Sequence, residues 1–203
     1  MAYFLGIDIG TTGIKSILVD RSGGTVASAM HEHEVLTPRM GWTEQRPETW
    51  WEGTVVTVRE VLQTVEATEV LGVGLSGQMH GATLVDAADE VLRPCILWND
   101  TRSYKEAAEL DGDPRFRELT GNIVFPGFTA PKLVWMARNE AENFKRVAKV
   151  LLPKDYLRYW LTGETISKMA GKERVEMKVV RLLCPQTPGI HIDLQEYLEP
   201  PGK

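Results

Sequence analysis

The chain has 203 residues, of which 43% are hydrophobic and 25% charged, the make-up of a globular domain with room for a short appendage. Its net charge of −5, with no face reading as a Lys/Arg stripe, argues against a nucleic-acid partner. The longest apolar runs, such as Val70 to Leu75, are too short to span a bilayer, so no membrane association is expected. The opening Met-Ala-Tyr-Phe-Leu-Gly-Ile-Asp lacks a basic region and meets an aspartate too early for a signal peptide. The two cysteines, Cys95 and Cys184, show neither metal-ligand spacing nor a disulfide framework, and a cytoplasmic setting is the expectation.

In chain order, Tyr3 to Ile9 is an apolar, strand-like run ending at Gly10-Thr11-Thr12-Gly13. Ile14 to Asp20 alternates, Ser22-Gly23-Gly24 makes a turn, and Thr25 to Val35 reads as a third strand, so an antiparallel meander is expected. Pro47-Glu48 favours a helix start, and Trp51, Val55, Val58, Leu62 and Val65 recur at helical spacing over about five turns. Val70 to Leu75 is expected as a buried strand and Ala82 to Val85 as another. Thr101 can cap a helix to about Leu110, and Thr129 followed by Pro131 can open one toward Arg138. Glu140 to Ala148, a short strand Val150 to Leu152, and a segment Asp155 to Leu161 stopped by Gly163 complete the pattern. From Glu164 periodicity weakens and prolines recur; only Glu173 to Leu183 and Ile190 to Leu194 hint at elements. The expected organisation is one domain over 1–163 and a divergent tail over 164–203.

The segment Gly6-Ile7-Asp8-Ile9-Gly10-Thr11-Thr12-Gly13-Ile14-Lys15 carries the strongest chemical signal. Gly10 and Gly13 permit a tight turn whose N–H groups can face an anion. Thr11 and Thr12 add hydroxyl donors, and Lys15 adds a nearby cation. Asp8, at the strand end, can hold Mg²⁺ through water beside phosphates, and this is the equipment phosphoryl transfer needs. A plain Gly-rich hairpin is the alternative. A Walker loop is not, because Gly-Lys-Ser/Thr is absent and a strand follows.

Gly72-Val73-Gly74-Leu75-Ser76-Gly77 spells a dinucleotide-binding pattern, but its first glycines lie inside the apolar run and no room for a helix follows, so that reading is rejected. Ser76-Gly77-Gln78-Met79-His80-Gly81 falls just past a strand's carboxyl end, where α/β folds place ligands. Gln78, Met79 and His80 there can offer a polyol hydrogen bonds and an apolar wall. Leu97-Trp98-Asn99-Asp100-Thr101-Arg102 ends another apolar run and offers Trp, Asn, Asp and Arg within five residues, with Asp100 able to accept hydroxyls, Trp98 able to stack and Arg102 a further candidate contact to the same ligand. Blander readings stand beside these: Trp98 as core, Asp100-Thr101 as a helix start, and Asp100–Arg102 as a surface ion pair.

Phe4 to Gly13 resembles the opening phosphate segment of the FGGY carbohydrate kinases. Gly41-Trp42-Thr43-Glu44-Gln45 with Pro47-Glu48-Thr49-Trp50-Trp51 resembles the approach to that family's first long helix. Ser76 to Gly81, Ile96 to Arg102, Thr120-Gly121-Asn122, Pro126 to Lys132 and Leu152 to Leu157 are similar to the branch that acts on D-xylulose. The order of elements fits the α/β, ribonuclease-H-like (actin/Hsp70/sugar-kinase) fold, a mixed sheet covered by helices. The resemblance implies ATP and Mg²⁺ as cofactors and D-xylulose or a related ketopentose as the acceptor. It implies sugar contacts at Met79 and His80, metal and phosphate support at Asp8, and nucleotide phosphates facing Thr11, Thr12 and Lys15. A homodimer is compatible with it. It ends near Glu164, before the second domain that supplies the family's general base, and Asp193 lacks that base's setting. The 203 residues are therefore expected to be inactive by themselves, as a fragment that folds or binds sugar without turnover.

Overall fold

The computed structural model describes residues 2–163. The expected elements at Glu173 to Leu183 and Ile190 to Leu194, with Asp193 and Cys184, lie outside them. In chain order the elements are β1 (Tyr3–Ile9), β2 (Gly13–Asp20), β3 (Thr25–Glu32), β4 (Glu44–Gln45), α1 (Pro47–Val61), β5 (Val70–Gly77), β6 (Thr83–Val85), β7 (Cys95–Ile96), α2 (Tyr104–Gly112), α3 (Pro114–Thr120), α4 (Thr129–Asn139), α5 (Ala141–Lys145), β8 (Lys149–Leu151) and α6 (Pro153–Thr162). None of these helices is long and apolar enough to cross a membrane. The described residues divide into two compact units: residues 2–36, 45–79 and 153–163, and residues 37–44 and 80–152.

In the first unit a four-stranded sheet runs in the order β3-β2-β1-β5. β1, β2 and β3 form the expected antiparallel meander, and β5 joins β1 in parallel, so the sheet is mixed. Alternation in β1 sends Leu5, Ile7 and Ile9 into the core and leaves Phe4 and Asp8 exposed. β5 is not the buried strand expected: it pairs only with β1 among the described residues, and Leu71 and Val73 are more than half exposed. Its run of apolar residues reported β propensity, which does not distinguish an edge from a centre.

α1 starts at Pro47 and carries Glu48 in its first turn, as expected. Its buried face, however, is Trp50, Gly53, Thr54, Thr57 and Val61, one residue out of step with the apolar stripe Trp51, Val55, Val58. The physical reason is closeness. A Cβ at Gly53 would sit 2.9 Å from Ile14 Cγ1, so only small residues fit between helix and β2. The threonine hydroxyls are satisfied within the helix, Thr54 donating to the Trp50 carbonyl at 2.7 Å and Thr57 to that of Gly53 at 2.9 Å. Thr57 also meets the Ser16 hydroxyl on β2 at 2.7 Å. Trp50, fully buried, packs edge-on against Tyr156 of α6, and Trp51 stacks on Trp160. Burying such an indole contributes about 2–3 kcal/mol.

The second unit holds an antiparallel β6–β8 pair and helices α2 to α5. Leu84, Ile96, Leu133, Met136 and Val150 form one core cluster, and Leu110, Phe116, Ala130 and Val134 another. Two local expectations change here. Thr101 does not cap a helix: its N–H and hydroxyl both donate to the Gly41 carbonyl, at 2.9 and 3.0 Å, and α2 begins only at Tyr104. The unexpected α3 is opened by Asp113, whose carboxylate accepts from the Arg115 amide, with Pro114 at its first position.

Candidate functional site

The Gly10–Gly13 turn joins β1 to β2, and its shape is enforced from within the first unit. Gly10 donates to the Gly13 carbonyl at 2.9 Å. Neither glycine has a positive φ; each is required by close approach, since a Cβ on Gly10 would lie 2.9 Å from the Gly13 oxygen and one on Gly13 would lie 2.7 Å from the His31 oxygen. Three successive carbonyls are then held: Gly10 by His33 Nε2 at 3.1 Å, Thr11 by Gln45 Nε2 at 2.6 Å, and Thr12 by the His33 amide at 3.2 Å. In a trans peptide the N–H points opposite to its carbonyl, so the amides of Thr11, Thr12 and Gly13 are directed away from His33 and Gln45. Backbone N–H groups so directed can serve as donors to an anion.

A carbonyl only accepts, so His33 must carry its proton on Nε2. Burial holds its pKa below the usual histidine value, keeping the ring neutral near pH 7. Asp8 and Lys15 are direct cross-strand partners, both exposed, on the face opposite the core. The Asp8 carboxylate flanks the turn, 4.0 Å from where a Gly10 Cβ would be.

Gln78 follows β5 directly, anchored by its amide donating to the Ile9 carbonyl at 2.8 Å. Its side chain donates to Gln45 Oε1 at 2.7 Å, and Met79 next to it is 66% exposed. These residues, the turn and Gln45 all belong to the first unit.

In the second unit, His80 has φ +61°, a left-handed conformation that costs a non-glycine residue about 1 kcal/mol or more. The surrounding segment holds it there. The His80 carbonyl accepts from Lys132 Nζ at 2.8 Å and Thr129 Oγ1 at 3.2 Å, while the Phe128 ring lies 4.6 Å from the imidazole. Lys132 is fully buried at the first turns of α4 and also donates to the Gly127 carbonyl at 2.6 Å. Burial pulls its pKa down to about 7, against the opposing pull of Cys95 and Asp100. Burial, and then the Lys132 charge, hold His80 below its ordinary pKa, so the ring offers one donor and one acceptor.

Asp100 and Arg102 form an ion pair that is buried rather than superficial. Asp100 Oδ1 accepts from the Arg102 amide and Nε, both at 2.9 Å, and Oδ2 from Arg102 Nη2 at 2.8 Å and the Thr43 amide at 2.7 Å. Arg102 Nη2 also reaches Glu44 at 2.7 Å, and Glu44 pairs with Arg93. The guanidinium lies 3.9 Å from the Trp42 ring centre and 5.2 Å from that of Trp135. This network ties the 97–102 loop to the 41–44 segment and occupies both Asp100 oxygens. Trp98 is half exposed, with Gly127 against its carbonyl. Gln45, His33, Phe128 and Lys132 escaped sequence reasoning as functional residues. A lysine within the apolar run Ala130 to Val134 was one signal, and Gln45, Phe128 and Lys132 also lie in the segments that carried the family resemblance.

Residues 3–178 match the model of the FGGY family of carbohydrate kinases, N-terminal domain. The chain belongs to the FGGY family. The match runs past Gly163–Glu164, where the resemblance in the sequence was expected to end. The FGGY chain is 47% identical over 168 residues to the xylulose kinase of Escherichia coli (strain K12), covering 82% of this chain and 35% of that protein. It is 40% identical over 171 residues to the xylulose kinase of Staphylococcus xylosus, covering 83% and 35%. Among solved structures it is similar to a xyloylose kinase from Brucella ovis, with 59% identity and a TM-score of 0.77 over 80% of this chain and 34% of that one. The FGGY chain thus spans about a third of the length of the curated relatives it matches. Its fold is the ribonuclease-H-like α/β fold of the actin, Hsp70 and sugar-kinase group, a mixed sheet with helices.

Proposed function

We propose that this chain is the sugar-binding part of an ATP-dependent kinase that converts D-xylulose to D-xylulose 5-phosphate. The observation carrying the reading is identity of 40–48% to several xylulose kinases across about four-fifths of this chain. The Gly10–Gly13 turn receives nucleotide phosphates on the amides of Thr11, Thr12 and Gly13, with the hydroxyls of Thr11 and Thr12 and the Lys15 ammonium adding to the positive field. Gln78 and His80 hydrogen-bond the sugar, Met79 supplies an apolar contact, and Trp98 stacks on its C–H faces. Asp100 and Arg102 brace the loop that carries Trp98. A related ketopentose would meet the same chemistry.

Mg²⁺ fits the residues beside the turn. Among the described residues no group of three or more His, Cys, Asp or Glu could hold a metal, and Asp8, whose carboxylate flanks the turn, would support the ion through water. When bound, the ion neutralises phosphate charge. Because the relatives are matched over only 34–35% of their length, a second reading applies to residues 1–203 taken by themselves: weak sugar binding without turnover. On this reading the general base belongs to a second domain, as the resemblance implies, and such a group contributes about 10²–10⁴ in rate. No membrane or nucleic-acid partner enters the proposal, and its setting is the cytoplasm.

The test is calorimetric titration of the chain with D-xylulose, alongside ADP release by the longest natural polypeptide that carries these residues. Sugar-dependent ADP release is expected there, and release at the sugar-free rate from residues 1–203 alone. Asp8→Asn should abolish most turnover and leave D-xylulose affinity unchanged. ADP release that ignores D-xylulose but responds to another polyol would refute the assigned sugar.

A further inference from the structure

Gln45 is fully buried, and its neighbours leave its amide no choice of orientation. The Thr11 carbonyl can only accept, so the amide nitrogen must face it, at 2.6 Å. The Trp50 indole can only donate, so the amide oxygen must face it, at 3.1 Å. Gln78 approaches that same oxygen at 2.7 Å and must therefore present its own NH₂. What remains is Gln78 Oε1, a buried acceptor with no hydrogen-bond partner among the described residues. Buried acceptors are costly to leave unpaired, and this one sits in the segment between β5 and His80.

We infer that Trp50 and Gln45 form a relay that fixes the polarity of Gln78, so that Gln78 presents an acceptor, never a donor, to a hydroxyl of the sugar. The inference rests on Gln78 being a sugar contact. It makes Gln45 and Trp50 positioning residues for specificity: the recognised substrate position must carry an O–H, and an analogue bearing fluorine or O-methyl there is rejected. Since the same amide holds the Thr11 carbonyl, one side chain sets both the phosphate turn and the polarity of the sugar contact.

The relay is tested first without sugar. In ¹⁵N-labelled protein, the Gln78 side-chain amide, assigned with Gln78→Met, should contain one proton protected from solvent exchange. Gln45→Met should bring that proton to the rate of a free amide, while Gln45→Glu, which keeps an oxygen facing Gln78, should retain the protection. An unprotected Gln78 amide in the wild type, or unchanged protection in Gln45→Met, overturns the relay. If Gln45→Met does not fold, loss of protection in Gln45→Glu overturns it. Calorimetry with D-xylulose follows: Gln45→Met and Gln78→Met should each weaken binding about tenfold, and the double variant should be no worse than the poorer single. Additive losses, or full affinity in Gln45→Met, overturn the relay. Absence of D-xylulose binding in the wild type would sink the proposed function alone, and amide exchange would then decide the relay.

Discussion

Truncating Asp100 to alanine separates a bracing role from a sugar contact. The side chains of Asp100 and Arg102 are both fully buried, and the carboxylate accepts four hydrogen bonds, three of them from Arg102. Its removal strands a guanidinium inside the second unit, and breaking a buried pair from one side costs about 3–5 kcal/mol. Glu44, at 2.7 Å from the same Nη2, offsets part of the loss, which places the expectation near the lower figure. At roughly 2–4 °C per kcal/mol for a chain of this size, about 3 kcal/mol lowers the melting temperature by about 6–12 °C. Asp100→Ala combined with Arg102→Leu should recover part of this, because two missing charges cost less than one orphan. Thermal unfolding by circular dichroism, with D-xylulose titrations on the same variants, reads both effects. A melting temperature within about 2 °C of wild type, together with a tenfold loss of sugar affinity, would refute the bracing role.

Stability should also follow pH through Lys132 and Cys95. The Lys132 pKa is about 7 folded and 10.5 free, so the unfolded chain holds an extra proton between those values and stability rises with pH above about 7. Cys95 is pushed up to about 11 from 9.0, so the unfolded chain loses its proton first and the rise is offset above about pH 9. His33 and His80 titrate lower folded than free, so stability falls again as pH drops below about 6.5. Urea midpoints between pH 5 and 10 should show this profile, and a rise between pH 7 and 9 that persists in Lys132→Met would contradict it. Gly127→Ala should destabilise by about 3 kcal/mol, because the new Cβ would lie 2.0 Å from the Trp98 carbonyl oxygen; a normal melting temperature would show that the loop yields.

What the sequence disclosed was mostly local. The β1–β2–β3 meander was legible because alternation and Gly-rich turns act between neighbours in the chain. The start of α4 at Thr129 and the stop after α6 at Gly163, with φ +66°, were legible for the same reason. The α3 signals, Asp113 and Pro114, were present in a segment too short to show periodicity. The exposure of β5 and the one-residue shift of the α1 face depend on what packs against them, which apolar character alone does not encode. In the candidate site, Asp8 and Lys15 flank the turn as the strand pattern implied. The burial of the Asp100–Arg102 pair was hidden, because it needs Glu44 and the two indoles, Trp42 and Trp135, supplied from distant parts of the chain.

The inner face of α1 carries a warning for protein engineering. A designer guided by hydropathy would take Val55 and Val58 for the anchor and upgrade Thr54 or Thr57 to leucine. Those threonines lie on the surface that touches the sheet, at a separation set by Gly53, and their hydroxyls are already paired. A larger side chain would lever the helix outward and leave the Ser16 hydroxyl on β2 without its partner. Trp50 would move with the helix, and with it the indole that orients Gln45. In this domain a greasier helix would be a worse one.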